Sequence, residues 1–435
     1  MLIGFTVENF RSIRDACSLS LEASNYYKEN DATLVSRDIP GMKGVRVLPA
    51  SAIYGANASG KSVFVDALGA MRAAVLAHMG ANLDPLVSFE PFLLDQESRH
   101  RPMSFSVEFC LRRERGGEQK LVRYEYSFSV SDRGVENEEL RAYFTRQPSK
   151  LFSRSMSPAG DITIDGSKTF PISAEAKRLV GPRLLVLSLF TLFEQTAVAG
   201  AGDEARAVCD WFRDGLTVVD RGPGQQPMDT YSAKVLDGAA GSDYQRQFIR
   251  DIMRQADTGI TSVEVRHEAL GRELPEPLRG LVSKEASQKF EQQPVKRMAF
   301  FHQTTSGDQA EVPSESAGTL RLFQLAGYLG RVIETGGTLV VDELDASLHP
   351  GLADALVSLF LDPSVNELGA QLVFTAHNPC LMDNPLMRRD EFWIMEKGED
   401  GASTLHPVSD FKIRKGDSLR TGCVASSLCR HFPHR

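Results

Sequence analysis

Long hydrophobic runs are missing from this 435-residue chain. The longest largely apolar stretch, Leu184-Leu-Val-Leu-Ser-Leu-Phe-Thr-Leu-Phe193, has ten residues, and a helix needs roughly 20 to span a bilayer. It therefore reads as a core or interface helix, and no membrane association is expected. No heptad repeat is sustained anywhere, which excludes an extended coiled coil. Cysteine is sparse: six residues scattered over the length make no disulfide framework, so a reducing, cytoplasmic setting is expected. The first residues alternate like a strand and carry charge, so no secretory signal is expected. Basic charge is also short, with 49 Lys and Arg against 57 Asp and Glu for a net charge of −8. That balance argues against nucleic acid bound over the whole surface. Two local clusters, Arg112-Arg113-x-Arg115 and Lys412-x-Arg414-Lys415, leave local DNA contact open, although no aromatics interleave with them to stack bases.

What is present is concentrated chemistry. With 42% hydrophobic residues the chain can bury a sizeable core, more naturally as two lobes than one. Gly55-Ala-Asn57-Ala-Ser59-Gly60-Lys61-Ser62 is an unbroken G-x-x-x-x-G-K-S. It follows the apolar run Ala52-Ile53-Tyr54 and opens a helix-patterned segment from Ser62 to Met79. Glycines there let the backbone wrap a triphosphate, so that amides and the helix N-terminus face its oxygens. Gly55, Asn57, Ser59, Gly60 and Val63 are the expected lining. Lys61 is expected to neutralise the terminal phosphates and Ser62 to hold Mg²⁺.

A second half lies far downstream. Thr338-Leu-Val-Val-Asp342-Glu343 reads as a buried parallel strand that delivers Asp342 to a sheet edge as a Mg²⁺ ligand and Glu343 as the activator of a water. A short helical pattern from Gly351 to Leu361 and the run Gln371-Leu-Val-Phe-Thr-Ala-His377 follow, giving strand, crossover helix, strand. His377 then sits where ligands collect in open α/β sheets. Lys61 and Asp342 are 281 positions apart, room for whole subdomains between them. Ser316-Ala-Gly318-Thr319 opens another helix, with Gly318 placed 24 positions before Asp342. Because the chain already has one phosphate loop, this second cradle is expected to serve the nucleotide of another subunit.

The order of these motifs resembles ATPases of the ABC type, in the SMC/RecF/OLD-like branch. Ser316-Ala-Gly318-Thr319 resembles the signature, Asp345-Ala-Ser-Leu-His349-Pro350 the D-loop region, and His377 the switch histidine. The opening Phe5-Thr-Val-Glu-Asn9-Phe10-Arg11-Ser12-Ile13, the Asp342–Pro350 block, and Arg388-Arg-Asp-Glu-Phe-Trp-Ile-Met-Glu-Lys397 followed by Ser409–Lys412 resemble the abortive-infection ATPases of the AbiLi/RloA group. The resemblance implies a P-loop fold with a mixed sheet core, an antiparallel meander and a helical insertion, and an ATPase of anti-phage defence acting beside a separate effector protein. It also implies a homodimer or higher homo-oligomer through shared ATP sites, with Asp345 near the nucleotide and Arg11 as a further contact. Two features depart from the pattern. No glutamine stands clearly where ABC proteins couple nucleotide to the helical lobe, Gln96 being the candidate. The tail from Cys423 to Arg435 changes composition abruptly, and its Cys423, Cys429, His431 and His434 do not have a usual zinc spacing.

The expected organisation is an N-terminal ATPase half over 1–170, a helical insertion lobe over 171–295, a C-terminal ATPase half over 296–422 and an atypical tail over 423–435. Strands are expected over Ile3–Phe10, Cys17–Leu21 and Val47–Tyr54. A meander is expected about the Gly116-Gly117 turn, and a helical pattern from Ser173 to Asp257, broken by a linker at 221–227. Two other readings stay open: an ATP-binding scaffold or sensor with little turnover, and a RecF-like ATPase acting on DNA. An OLD-type nuclease would need a carboxylate-rich domain after the ATPase, and the 58 positions beyond His377 are expected to be too few.

Overall fold

The computed structural model of the chain describes residues 1–27, 30–35, 39, 42, 44–76, 88–192, 202–219, 230–256, 259–269 and 294–411. The linker at 221–227, Phe193, the basic cluster at 412–415 and the 423–435 tail lie outside the described residues. Two compact units result: Met1–Arg221 with Thr335–Asp345 and Ala353–Arg435, and Gly222–Glu334 with Ala346–Leu352.

The first unit holds two sheets. One is an antiparallel meander of β1 (Leu2–Glu8), β2 (Cys17–Ser20), β4 (Met103–Arg115), β5 (Glu118–Ser131), β6 (Gly134–Tyr143), β7 (Ser149–Met156) and β8 (Ile162–Gly166), in the order β2-β1-β4-β5-β6-β7-β8. Burial alternates residue by residue over Met103–Phe109 of β4 and Leu121–Val130 of β5, as one packed face requires. Gly116 and Gly117, at φ 63° and 78°, make the hairpin turn in a conformation that favours glycine at both positions.

The other sheet runs β16-β15-β3-β14-β13-β9, built from β3 (Ala50–Tyr54), β9 (Leu216–Val219), β13 (Thr338–Val341), β14 (Gln371–Thr375), β15 (Phe392–Lys397) and β16 (Ser403–Pro407). All its pairings are parallel except the β15–β16 hairpin. Every residue of β3, β13 and β14 is buried, which explains why these segments read as continuous apolar runs. Helix α8 (Pro350–Leu361) is the crossover between β13 and β14, as the strand–helix–strand pattern predicts.

Strand β9 corrects the reading of Ser173–Asp257 as helical. Leu216-Thr-Val-Val219 pairs in parallel with β13 and extends the core sheet. Four residues are too few to show a period, so an apolar run of that length cannot be told from a turn of helix. Around it lie α1 (Lys61–Val75), α2 (Ala174–Leu179), α3 (Val186–Leu192) and α4 (Asp203–Asp210). The apolar run Leu184–Leu192 supplies α3, with Val186, Leu187, Leu189 and Phe190 buried. Ser188 Oγ and Thr191 Oγ1 donate to the carbonyls of Ala74 and Val75, satisfying the last turn of α1. Arg72 of α1 donates to the carbonyls of Phe212, Arg213 and Leu216, fixing α1 against the approach to β9.

The two sheets are joined by the buried Gln371. Its Oε1 accepts from Leu2 N at 2.6 Å and its Nε2 donates to Leu2 O and Leu48 O. At the start of the Arg388–Lys397 block, Arg388, Asp390 and Glu391 form a buried clamp. The Arg388 guanidinium holds Asp390, Asp31 and the carbonyls of Ser24 and Tyr27. Glu391, fully buried, accepts from Arg388 N, and its carboxyl is pushed up to about 8 by burial.

The second unit contains the antiparallel sheet β10 (Ile260–Ala269), β11 (Pro294–Gln303) and β12 (Gln309–Val312), with α5 (Tyr231–Leu236), α6 (Asp243–Gln255) and α7 (Ala317–Thr335, to Glu334 in this unit). Ser232 of α5 donates to Phe323 O and accepts from Gly327 N. That close approach needs glycine, since a Cβ at Gly327 would lie 2.8 Å from Ser232 Oγ. Among the described residues no helix is long and apolar enough to cross a membrane.

Candidate functional site

Register places the site. Phe374 of β14 lies beside Ala52 of β3 and Val341 of β13, and Thr375 beside Ile53. The C-terminal ends of these three strands therefore reach the same edge of the sheet. From that edge the chain continues into the Gly55–Ser62 loop, the Asp342–Asp345 turn and the Ala376–Asn378 segment. In parallel sheets this edge is where ligands bind.

The glycine loop is held from behind by the C-terminal hairpin. A Cβ at Gly55 would collide with the Met395 carbonyl, and one at Gly60 with the Ser403 side chain. Gly60 also stands at φ 112°, and Ala58 at φ 61° is left-handed without being glycine. Such a residue costs about 1–3 kcal/mol. Phe64, Leu68, Met71 and Val75, buried along α1, each contribute about 1.5–3 kcal/mol, so packing outweighs the strain.

Within the loop, Lys61 is buried and its Nζ donates to Gly55 O at 2.8 Å and Ala56 O at 3.0 Å. Ser59 is buried, and its Oγ has no hydrogen-bond partner among the described residues. Gly60 gives α1 no side-chain cap, and no acidic residue occupies the first turn. The helix N-terminus is thus left to an anion. Asn57 is exposed, Ser62 and Val63 are half-buried.

Across the same edge, Asp342 is buried and its Oδ1 accepts from Thr375 Oγ1 at 2.7 Å. Glu343 stands at φ 50°, its amide donating to the same Thr375 hydroxyl at 2.7 Å. Its Oε1 lies 2.8 Å from His377 Nε2. Asp345 Oδ2 accepts from the amides of His377 at 3.0 Å and Asn378 at 2.6 Å. Asp342, Glu343, Asp345 and His377 are thus brought into one hydrogen-bonded group. Thr375, to which the sequence reading gave no role, lies at its centre. Its only sequence signal is a polar residue ending an apolar strand.

Arg11 stands at φ 50° and spends its guanidinium on carboxylates: Nη1 on Asp66 of α1 and Nε on Glu90, both at 2.6 Å. The bond to Glu90 raises its pKa further. Gln96 is exposed on a turn. Arg113 and Arg115, from the basic cluster, flank Glu204 at 3.6 and 2.7 Å.

Ser316 and Gly318 belong to the second unit. Ser316 Oγ accepts from Thr319 N at 3.1 Å and pairs with Thr319 Oγ1 at 2.9 Å, so it caps α7. A Cβ at Gly318 would lie 2.6 Å from the Ser347 carbonyl, where Ser347 itself is left-handed at φ 63°.

Among solved structures, the chain is similar to an SMC head domain from Thermotoga maritima, at 13% identity, 93% of this chain, 98% of the other and a TM-score of 0.38. It is also similar to an Smc head domain with an extended coiled coil, bound to the C-terminal domain of ScpA and derived from Pyrococcus furiosus. There the identity is 12%, with 93% of this chain and 95% of the other covered, at a TM-score of 0.42. Both alignments are broad in coverage and loose in geometry. No curated protein matches the chain. The family model described as "AAA domain, putative AbiEii toxin, Type IV TA system" matches residues 50–161 and 247–383, more than half of the chain. The chain therefore belongs to that family.

Proposed function

We propose that this protein is a Mg²⁺-dependent ATPase, and that nucleotide-driven pairing of two copies controls a separate effector in defence against phage. The observation that carries the enzymatic reading is the shared sheet edge of β3, β13 and β14. The residues there fit the group. The start of α1 without a side-chain cap, the Ser59 Oγ without a partner among the described residues and the buried Lys61 ammonium suit the phosphates of ATP. Ser62 and Asp342 are a hydroxyl and a carboxylate, the hard oxygen donors that Mg²⁺ takes.

In this reading Gly55–Val63 wrap the triphosphate, Lys61 neutralises its β and γ oxygens, and Ser62 with Asp342 holds the metal. When bound, Mg²⁺ supplies charge neutralisation on the phosphates. Glu343 accepts the proton of the attacking water, and His377, hydrogen-bonded to Glu343, orients that carboxylate and senses the γ-phosphate. Asp345 fixes the His377 and Asn378 amides. Arg11 reaches nucleotide by exchanging Asp66 or Glu90 for phosphate. Ser316 and Gly318 close the site of another copy. Membership of the family described above supports the defence role.

The test is phosphate release by the purified chain with ATP, with and without Mg²⁺. Metal-dependent turnover is expected. Undetectable hydrolysis together with undetectable nucleotide binding contradicts the reading.

A further inference from the structure

We propose that Thr375 is a positioning residue for the ATPase chemistry, holding the metal-ligand carboxylate and the water-activating residue in one fixed relation; this rests on the ATPase reading above. Thr375 is fully buried at the end of β14, in the strand that lies between the glycine-loop strand β3 and the acidic strand β13. Its hydroxyl has one hydrogen and accepting lone pairs, and the structure uses both. The hydrogen goes to Asp342 Oδ1 at 2.7 Å, and a lone pair takes the Glu343 amide, also at 2.7 Å. Its carbonyl accepts from Leu344 N at 3.0 Å. One residue therefore fixes three successive positions of the acidic turn.

The turn needs such fixing. Glu343 is left-handed, a conformation that is uncommon for a residue with a side chain and persists where its surroundings hold it. Asp342 is buried, and a buried carboxylate that loses a donor can turn to another. With the hydroxyl in place, one oxygen of Asp342 is directed toward β14, and the carboxylate's rotation is set before any ligand arrives. The same hydroxyl sets where the Glu343 side chain leaves the backbone, and so the geometry from which it meets His377. Positioning of this sort acts on metal affinity and on the chemical step, and leaves metal-free contacts of the phosphates with the glycine loop alone.

The test uses Thr375→Val, which keeps the shape and removes the hydroxyl, and Thr375→Ser, which keeps the hydroxyl and removes the methyl. Melting temperature and metal-free ATP affinity are measured first, then Mn²⁺ affinity of the ATP complex by electron paramagnetic resonance, then kcat and KM. Thr375→Val is expected to bind metal-free ATP as wild type does. It should weaken Mn²⁺ binding roughly tenfold and lower kcat by roughly 10- to 100-fold with little change in KM, as expected when buried partners lose a hydrogen bond. Thr375→Ser should restore both.

If Thr375→Val does not fold, Thr375→Ala takes its place beside Thr375→Ser, the two differing at the hydroxyl alone. Weaker Mn²⁺ binding and lower kcat in Thr375→Ala than in Thr375→Ser support the proposal, and equal values in the two overturn it. Wild-type Mn²⁺ affinity and kcat in a folded Thr375→Val also overturn it. A wild-type protein that binds no nucleotide fails at an earlier and separate point, the ATPase reading itself.

Discussion

The helix start at Lys61 and the helix start at Ser316 offer the same chemistry, amides and hydroxyls, and differ in how much of it is already engaged. At α1, Gly60 provides no cap and the Ser59 hydroxyl is buried without a partner among the described residues. At α7, Ser316 caps Thr319 N and also pairs with the Thr319 hydroxyl. The first cradle has donors left over, and its shape is imposed from outside by the Met395 carbonyl and Ser403. The second already holds a side-chain cap. A helix start with unfilled donors is built for a ligand, whereas a capped one is stable without any, so a ligand role for Ser316 needs a partner that brings the phosphate to it.

Breaking the first cradle should have the largest effect. Lys61→Ala removes a buried cation and is expected to lower ATP affinity by about 100-fold or more, read by equilibrium titration. Unchanged affinity would remove the difference between the two cradles.

Ser316→Arg attacks the second. Each copy should still bind ATP, while ATP-driven association is lost, because a bulky side chain opposes closure and each lost charge-assisted bond costs about 1.5–3 kcal/mol. In a mixture with Lys61→Ala copies, a head-to-tail pair has one site with both lesions and one with neither. Turnover in the mixture that exceeds both variants alone supports the shared site. A lone Ser316→Arg copy with full turnover returns Ser316 to a helix cap.

pH separates the supports of the two regions. Glu391 closes the Arg388 clamp that leads into β15, the strand backing the glycine loop. Its carboxyl is raised from 4.5 to about 8 in the folded chain. The folded state therefore holds a proton that the unfolded state releases, and stability from this group is fully present below 4.5 and lost as pH rises through about 8. Glu391→Gln should flatten the fall of melting temperature across that window. A parent and variant with parallel pH profiles would show that Glu391 is charged in the fold.

The smallest effect sharpens the contrast. Ser316→Ala should cost about 1 kcal/mol of stability through loss of a cap, measured by denaturant unfolding. Ser59→Ala should cost the fold little and weaken ATP instead. The reverse pattern would mean that the roles of the two serines are exchanged.

How much of this was legible in the sequence depends on distance along the chain. Gly55–Ser62, Asp342-Glu343 and the β13–α8–β14 unit are contiguous patterns whose chemistry and period both show locally. The backing of Gly55 by the Met395 carbonyl and of Gly60 by the Ser403 side chain joins residues more than 300 positions apart, and nothing local in the sequence marks either contact. Strand β9 was too short to show a period. Thr375 reads as an ordinary strand residue until the structure brings Asp342 and Glu343 to its hydroxyl. Arg388 enters the sequence reading only as part of a block that resembles a family, and its burial among carboxylates and carbonyls shows in the structure alone. In each case the missing information was tertiary: which distant group arrives.

The central claim is that the glycine loop and the acidic turn, separated by most of the chain, serve one ATP. The most direct measurement compares ATP binding and phosphate release in Glu343→Gln and wild type. Binding should be retained, because the glycine loop is untouched and glutamine keeps the side-chain shape beside His377, while turnover falls by on the order of 10²–10⁴ and the paired state accumulates. Wild-type turnover in Glu343→Gln would contradict the account, since the acidic turn would then have no part in the chemistry at the loop.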